Sequence, residues 1–548
     1  MKKSKKILIA RICTSLSAAA LLGSVCYAPA AVAAPALPSA DPALRASQYN
    51  RTENEKPTEL APLPTGDKVQ GQGSFTLHSF VFSGDDAVID TTELEKLTAD
   101  YLDKEVTLDD LQKAADKITA FCRSKGYAAA SAFLPPQQIT GGKVEVRILL
   151  GKLGGVSIDN HSRLTDTKAK AFASPLAVGG YLQGYTAETV LNNLNDLPGL
   201  AAAGVLRPGS GVGETDLTIT LADTKQTETM LYADNYGGSY SGRYRYGFQT
   251  TINNPGRVGD KLYVGGMLTN GDMHNYNLGY ETALGSRGSR LGVSYSLMDY
   301  SLGDYFNILD AVGKAKTFSI YGSTPIVNRG GSYMAAVYGY AHRQLKDEMR
   351  LFGISNKKRS NAMNVGLSGR SRSANSYTGY SVLYYWGQLT NDDFTSDTEG
   401  SFQKFTADLS HLRRLGNAVD LQLNLHSQLA NKELDSSEQF YLGGASGVRA
   451  YPHGEAGGDG GYQAAAELRY HTPVPNLTLA AFTDWGEVYN HSGGPHRNLA
   501  GWGVGVQYAQ SGNYYLRLDY ARKINSQPYQ GEEHDKNGRL WFQAVKMF

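Results

Sequence analysis

After about Lys225 the chain alternates apolar and polar residues with a period of two. In 243–252, Tyr244, Tyr246, Phe248 and Ile252 alternate with Arg243, Arg245, Gly247 and Gln249. In 275–284, Tyr276, Leu278, Tyr280 and Leu284 stand against Asn275, Asn277, Gly279 and Glu281. Val419, Leu421, Leu423 and Leu425 interleave with Asp420, Gln422, Asn424 and His426, and Trp502, Val504, Val506 and Tyr508 with Gly501, Gly503, Gly505 and Gln507. A period of two sends successive side chains to opposite faces of a strand. Sixteen such segments begin near 229, 243, 260, 274, 289, 314, 332, 361, 376, 401, 418, 461, 476, 499, 513 and 538.

The gaps between segments alternate in length. Those after even segments are short, as at 285–288, 371–375, 414–417 and 510–512; those after odd segments are longer, as at 299–313, 343–360, 431–460 and 524–537. Short turns at one end, long loops at the other, an even strand count and strands of about ten residues predict an antiparallel membrane barrel with apolar residues to lipid and polar ones to a lumen. Backbone groups in hydrocarbon find no water, so such a sheet must close on itself. A soluble sandwich would show the same alternation with the faces reversed.

Upstream, the periodicity changes. Phe80 and Phe82 alternate in a short strand, and Thr92-x-x-Glu95 predicts a capped helix carrying Leu94, Leu97 and Tyr101. Thr107-x-x-Asp110 opens a second helix with Leu111, Ala115, Ile118 and Cys122 on one face, closed by Gly126. Strands follow at about 128–134 and 143–150. A second unit of similar plan occupies 153–222, with a strand near Val156, a helix through Val190, Leu191 and Leu194, and a closing strand from Asp216 to Leu221. Gly209-Ser-Gly-Val-Gly-Glu-Thr only superficially resembles a phosphate loop: Glu214 stands where a Lys is needed, and no helix follows, so it reads as a glycine-rich hairpin.

The first 33 residues tip the choice toward the barrel. Lys2, Lys3, Lys5, Lys6 and Arg11 precede an apolar stretch from Ile12 to about Val25, and Ala31-Val32-Ala33 supplies small residues for cleavage, the pattern of a secretory signal peptide. Residues 34–72 read as a linker, with Asp41-Pro42 able to open one short helix through about Asn50. With 53 basic against 52 acidic residues in 548, the chain lacks the basic surplus of a nucleic-acid binder. Its three Cys, of which Cys13 and Cys26 fall in the leader, exclude a disulfide framework or a Cys-rich metal site. No Gly-x-Ser-x-Gly or His-Glu-x-x-His occurs and the 11 His are scattered, so no enzyme, cofactor or metal is expected. His453 reads as a loop residue rather than a base.

The chemistry concentrates late in the chain. Gap 431–460 contains Gly443-Gly-Ala-Ser-Gly-Val448-Arg449-Ala450-Tyr451-Pro452, one Arg among apolar and small residues. In 482–486 the alternation turns Phe482, Asp484 and Gly486 to the lumen and Thr483 and Trp485 to lipid. An Arg on an in-folded loop could pair bidentately with an Asp on the inner wall. Alternatively, Arg449 is a solvated loop charge and Asp484 one of many lumen acids.

Val448-Arg449-Ala450-Tyr451 resembles the loop motif of the two-partner secretion transporters and of the wider POTRA–barrel superfamily, where the third position is usually Gly. Phe482-x-Asp484-x-Gly486 is similar to the companion strand motif of that family. Leu134-Pro135-Pro136-Gln137, after Gly126-Tyr127, is similar to its first POTRA domain, and Leu206-x-Pro208-Gly209 followed by Thr215-Asp216-Leu217 to the end of its second. The resemblance spans about 75–548 and points to the haemolysin and filamentous-haemagglutinin secretion transporters. In the last strand, Lys546 stands where the outer-membrane signature normally has an apolar residue.

The resemblance implies an all-β transmembrane barrel of 16 antiparallel strands preceded by two α+β POTRA domains. The division would be a signal peptide at 1–33, a linker at 34–72 with 41–50 in the place of a plug helix, POTRA domains at 73–152 and 153–224, and a barrel at 225–548 with loop 431–460 folded in. It implies a monomeric outer-membrane translocator in contact with lipid, whose periplasmic domains bind an unfolded exoprotein (an adhesin, a cytolysin or a contact toxin) through its N-terminal secretion domain. Leu134, Pro135, Pro136 and Gln137 would contact cargo, and Arg449 and Asp484 would hold the loop. Two rival functions remain from the sequence: an insertase of the same superfamily, which usually carries more POTRA domains, and a passive porin, which leaves 75–222 without a role.

Overall fold

The computed structural model describes residues 73–238, 240–303, 310–392, 397–524 and 537–548. The signal peptide, the linker and the plug-helix segment 41–50 lie outside the described residues.

The N-terminal part holds two α+β modules. In the first, β1 (Ser74–Leu77) pairs antiparallel with β3 (Lys104–Thr107), and a three-stranded sheet runs in the order β2 (Ser79–Gly84), β5 (Lys143–Leu149), β4 (Ser131–Phe133), with β2 parallel to β5. Helix α1 (Thr91–Thr98) is capped by Asp90, whose carboxylate accepts from Thr92 N at 2.9 Å. The cap thus lies two residues before the one the Thr92-x-x-Glu95 spacing suggests. Asp90 is already a good cap and is met first along the chain. Helix α2 (Leu108–Ser124) does open on the reciprocal box: Asp110 N donates to Thr107 Oγ1 at 3.3 Å and Thr107 N to the Asp110 carboxylate at 3.1 Å. Its face of Leu111, Ala114, Ala115, Ile118 and Cys122 is fully buried.

The second module orders its sheet as β6 (Lys152–His161), β8 (Glu214–Asp223), β7 (Leu200–Pro208), with β6 parallel to β8 and helices α3 (Asp166–Ala173) and α4 (Gly184–Asn195). The glycine-rich 209–213 is the β7–β8 turn, closed by Gly211 N on the Glu214 carboxylate. Backbone bonds join the modules: Leu182 N to Gly151 O, Ala128 N to Leu182 O and Gly184 N to Gly126 O. Tyr181 Oη reaches Asp85 across the same seam and meets Tyr127 edge-on. These bonds explain why the strand expected at 128–134 begins only at Ser131: residues 126–128 pair with the neighbouring module instead.

From Thr227 to Met547 the described residues form a closed barrel of sixteen antiparallel strands. The first eight are β9 (Thr227–Asp234), β10 (Arg245–Asn253), β11 (Lys261–Thr269), β12 (Met273–Leu284), β13 (Ser289–Ser301), β14 (Ala311–Arg329), β15 (Ser332–Met349) and β16 (Ile354–Arg372). Then come β17 (Ser376–Asn391), β18 (Gly400–Arg414), β19 (Val419–Ala430), β22 (Gly460–His471), β23 (Leu477–Tyr489), β24 (Arg497–Gln510), β25 (Tyr514–Lys523) and β26 (Gly538–Met547). Strand β26 pairs with β9 from Gln543↔Asp234 to Met547↔Met230 and closes the ring. Tyr276, Leu278, Tyr280, Trp485 and Trp502 are exposed on the outer face, whereas Asn275, Gln422, His426 and Asp484 are buried inside it.

One gap differs from its sequence reading. The long loop expected at 343–360 is mostly strand, because β15 runs to Met349 and β16 resumes at Ile354. Beyond the lipid both faces of a strand are wet, so the hydrophobic alternation ends while the backbone ladder continues. Among the described residues the longest excursion between barrel strands is 431–459, which carries a small hairpin of its own, β20 (Phe440–Leu442) on β21 (Ala456–Gly458).

Candidate functional site: the in-folded loop and its wall

Loop 431–459 turns inward and packs against strands β22 to β25. Val448, Ala450 and Tyr451 are buried in one cluster with Phe440, Leu442, Phe482, Val488, Leu499 and Ala521. Two wall glycines make the seating possible. A methyl at Gly486 would stand 2.6 Å from Leu442 Cδ2, and one at Gly501 would stand 2.6 Å from Ala450 Cβ. Gly501 thus makes room for the methyl that Ala450 carries where the resembling motif has glycine.

The apolar packing carries Arg449 into the wall, where the residue is 6 % exposed and Asp484 is 0 % exposed. Strand register places Asp484 opposite Gly501 and Phe482 opposite Gly503, so both motif side chains project from β23 on the same face. Arg449 Nε donates to Asp484 Oδ2 at 2.9 Å and Nη2 to Oδ1 at 2.8 Å, a two-pronged contact, and Arg449 N adds a third bond at 3.0 Å. The guanidinium carbon lies 3.2 Å from the centre of the Phe482 ring. Trp541 Nε1 donates to Arg449 O at 2.7 Å. Of the two readings left open for Arg449, the structure shows the paired one.

Several partners escaped the sequence reading. Arg449 Nη1 also donates to Glu467 at 2.8 Å and to Asp519 at 3.2 Å. Arg517 bonds both Glu467 at 2.8 Å and Asp519 at 2.9 Å, and Arg469 Nε bonds Glu467 at 2.8 Å. Three guanidiniums therefore interleave with three carboxylates, each charge answered in a region where an uncompensated one would be costly. A signal for them was present: Glu467 with Arg469, and Arg517 with Asp519, are opposite charges two apart on lumen-facing strand positions.

The first-module signature makes its contacts within that module. Pro135 is buried, Pro136 is exposed and Leu134 packs against the module cores. The Gln137 side chain imitates a strand, donating to Glu145 O at 2.8 Å and accepting from Glu145 N at 2.7 Å. These residues thus hold 134–142 along β5.

Comparison with known proteins gives a consistent picture. The family model described as haemolysin secretion/activation protein ShlB/FhaC/HecB matches residues 213–508, and that for the ShlB-type POTRA domain matches 75–151. The heme/hemopexin transporter protein HuxB of Haemophilus influenzae is 27% identical over 482 residues, covering 84% of each chain. The outer membrane transporter CdiB of Dickeya dadantii is 25% identical over 474 residues, covering 82% of this chain and 83% of its own. Among solved structures, CdiB from Escherichia coli superposes with a TM-score of 0.71 at 20% identity, covering 92% of this chain and 96% of that one.

Proposed function

The chain belongs to the haemolysin secretion/activation protein family ShlB/FhaC/HecB, and on that premise we propose that its Arg449-bearing loop is the movable element of a protein-export channel. The protein is a two-partner secretion transporter of the bacterial outer membrane, with its POTRA domains in the periplasm. The family is one of transporters, not of enzymes.

An unfolded exoprotein is captured through its N-terminal secretion domain by strand addition to a free sheet edge, β2 of the first module or β7 of the second. Pro136, exposed beside β5, is offered to the same cargo. The exoprotein then passes through the lumen as an extended chain and folds outside. The periplasm holds no ATP, so folding on the far side supplies the driving force. Domain limits at 73–152, 153–224 and 225–548, with 1–33 removed on export and a monomeric barrel in lipid, belong to the same reading. The likeness to a heme/hemopexin transporter adds cargo of that class to adhesins, cytolysins and contact toxins.

One observation carries the role of the loop: a buried cation on a loop, met by carboxylates from three wall strands inside a closed barrel. That arrangement holds the loop in the path a passing chain needs, and ion pairs can be exchanged without melting the wall. Replacing Arg449 by Ala is expected to abolish cargo in the medium while the barrel keeps its heat-modifiable mobility on gels. Unchanged export would refute the role.

A further inference from the structure

The ion pairs between the in-folded loop and the wall reverse polarity between its tip and its flanks, where Glu455 also meets Arg497 of β24 at 3.3 Å. At its tip the loop supplies the cation, Arg449, and the wall the anions. At its root the loop supplies the anions. Asp435 Oδ2 lies 2.6 Å from Lys358 Nζ of β16. Glu438 takes Arg343 of β15 at 3.1 Å, Lys404 of β18 at 3.0 Å and the Ser360 hydroxyl at 3.2 Å. The root is also tied to itself: buried Asp459, at the far end of the loop, accepts from Leu434 N at 2.8 Å and Gln439 Nε2 at 3.2 Å. Gln428 of β19 bonds the carbonyls of both Glu438 and Asp459.

Between root and tip stand Gly443 (φ 92°), Gly444 (φ 87°) and Gly454 (φ 69°), on either side of the motif. Glycine moves through these backbone regions without steric cost, and hinges gather at a few such positions. The electrostatics divide the loop at the same place. When Arg449 leaves, Glu467 and Asp519 keep Arg517, and Glu467 keeps Arg469; among these described carboxylates only Asp484 loses its guanidinium partner. Releasing the root would part three wall cations from two buried loop carboxylates at once.

We propose that Asp435 and Glu438 are positioning residues for transport, keeping the root of the loop docked on β15, β16 and β18 while the tip, residues 443–454, swings about its flanking glycines to admit the passing chain. This rests on the export reading above. Two cysteine pairs in the full-length transporter separate the possibilities. Ala450→Cys with Gly501→Cys fastens the tip: the two positions face each other with a Cβ at 501 only 2.6 Å from that of Ala450, so the pair must ease apart by about 1 Å to the roughly 3.5–4.5 Å a disulfide spans, and closure is checked by gel mobility before each assay. Gly458→Cys with Val488→Cys fastens the root by the same small relaxation, from a facing Cβ separation of 2.8 Å.

Each pair is assayed oxidised and reduced, by planar-bilayer conductance in KCl and by secretion of an epitope-tagged exoprotein from a gene adjoining that of the transporter. The oxidised tip lock is expected to lose large openings and export at least tenfold, with recovery on reduction. The root lock is expected to behave alike in both states. Asp435→Asn with Glu438→Gln is expected to raise the frequency of large openings at least tenfold at unchanged heat-modifiable mobility, and Asp435→Glu with Glu438 intact to show no rise. A root lock that stops export, a tip lock that does not, or a double amide with wild-type conductance overturns the proposal. An unsubstituted transporter that exports nothing would instead overturn the export reading.

Discussion

Arg449 shows how much depends on the shape of one side chain. A guanidinium can hold both oxygens of Asp484 and still reach Glu467 and Asp519, whereas a Lys ammonium is a single point of charge. Arg449→Lys is therefore expected to lower export at least tenfold without altering assembly, measured as cargo in the medium against heat-modifiable mobility. Breaking one partner of a buried ion pair costs about 3–5 kcal/mol, so Asp484→Ala is expected to loosen the loop to a similar degree. Packing gives a separate test. Gly501→Ala sets a methyl 2.6 Å from Ala450 Cβ, an overpacking that costs roughly 1–3 kcal/mol, and should lower the temperature at which the barrel loses its folded gel mobility. Ala450→Gly in the same chain should restore it. The departure at Lys546 also has a local answer: its ammonium lies 4.0 Å from the centre of the Tyr514 ring and 5.2 Å from that of Phe548. A long amphipathic side chain there keeps an apolar stem and an aromatic partner.

Among the elements, those set by neighbours in sequence were readable and those set by distant partners were not. The box of Thr107 and Asp110 lies within four residues, so α2 could be placed from the sequence. Thr107→Ala is expected to cost about 1 kcal/mol, seen as roughly fivefold faster hydrogen exchange in the first turn of α2. Cys122 on the same helix is fully buried, and burial pushes its thiol from 9.0 up to about 11. Keeping a thiol neutral favours the folded module fully below pH 9, and this advantage is lost as pH rises from 9 toward 11. Alkylation at pH 8.5 is accordingly expected to leave Cys122 unmodified until the chain is unfolded. Strand β4, by contrast, is shorter than its local pattern predicts because residues 126 and 128 just before it bond to 182–184 of the other module, which no local pattern announces. Strands β15 and β16 are longer than the alternation predicts because Arg343 to Glu348 reads as a charged loop yet pairs residue by residue with 355–360.

For the whole molecule, removal of 75–150 is expected to abolish cargo capture in a pull-down while planar-bilayer conductance persists; retained capture would take the binding role away from the first module. The sequence by itself determined the barrel, its sixteen strands and their phase, because a lipid face and a wet lumen impose one apolar-polar alternation on each spanning segment. It also determined the α+β character of 75–222, through caps and helical faces that act over a few residues. What only the tertiary structure decided was which charges meet. Arg449 and Asp484 are 35 positions apart, and Arg343 and Glu438 are 95 apart. Whether such groups pair depends on how far loop 431–459 turns into the lumen and which strands curve round to face it. Charge partners are chosen by distance in space, and a linear pattern fixes that distance only along its own strand.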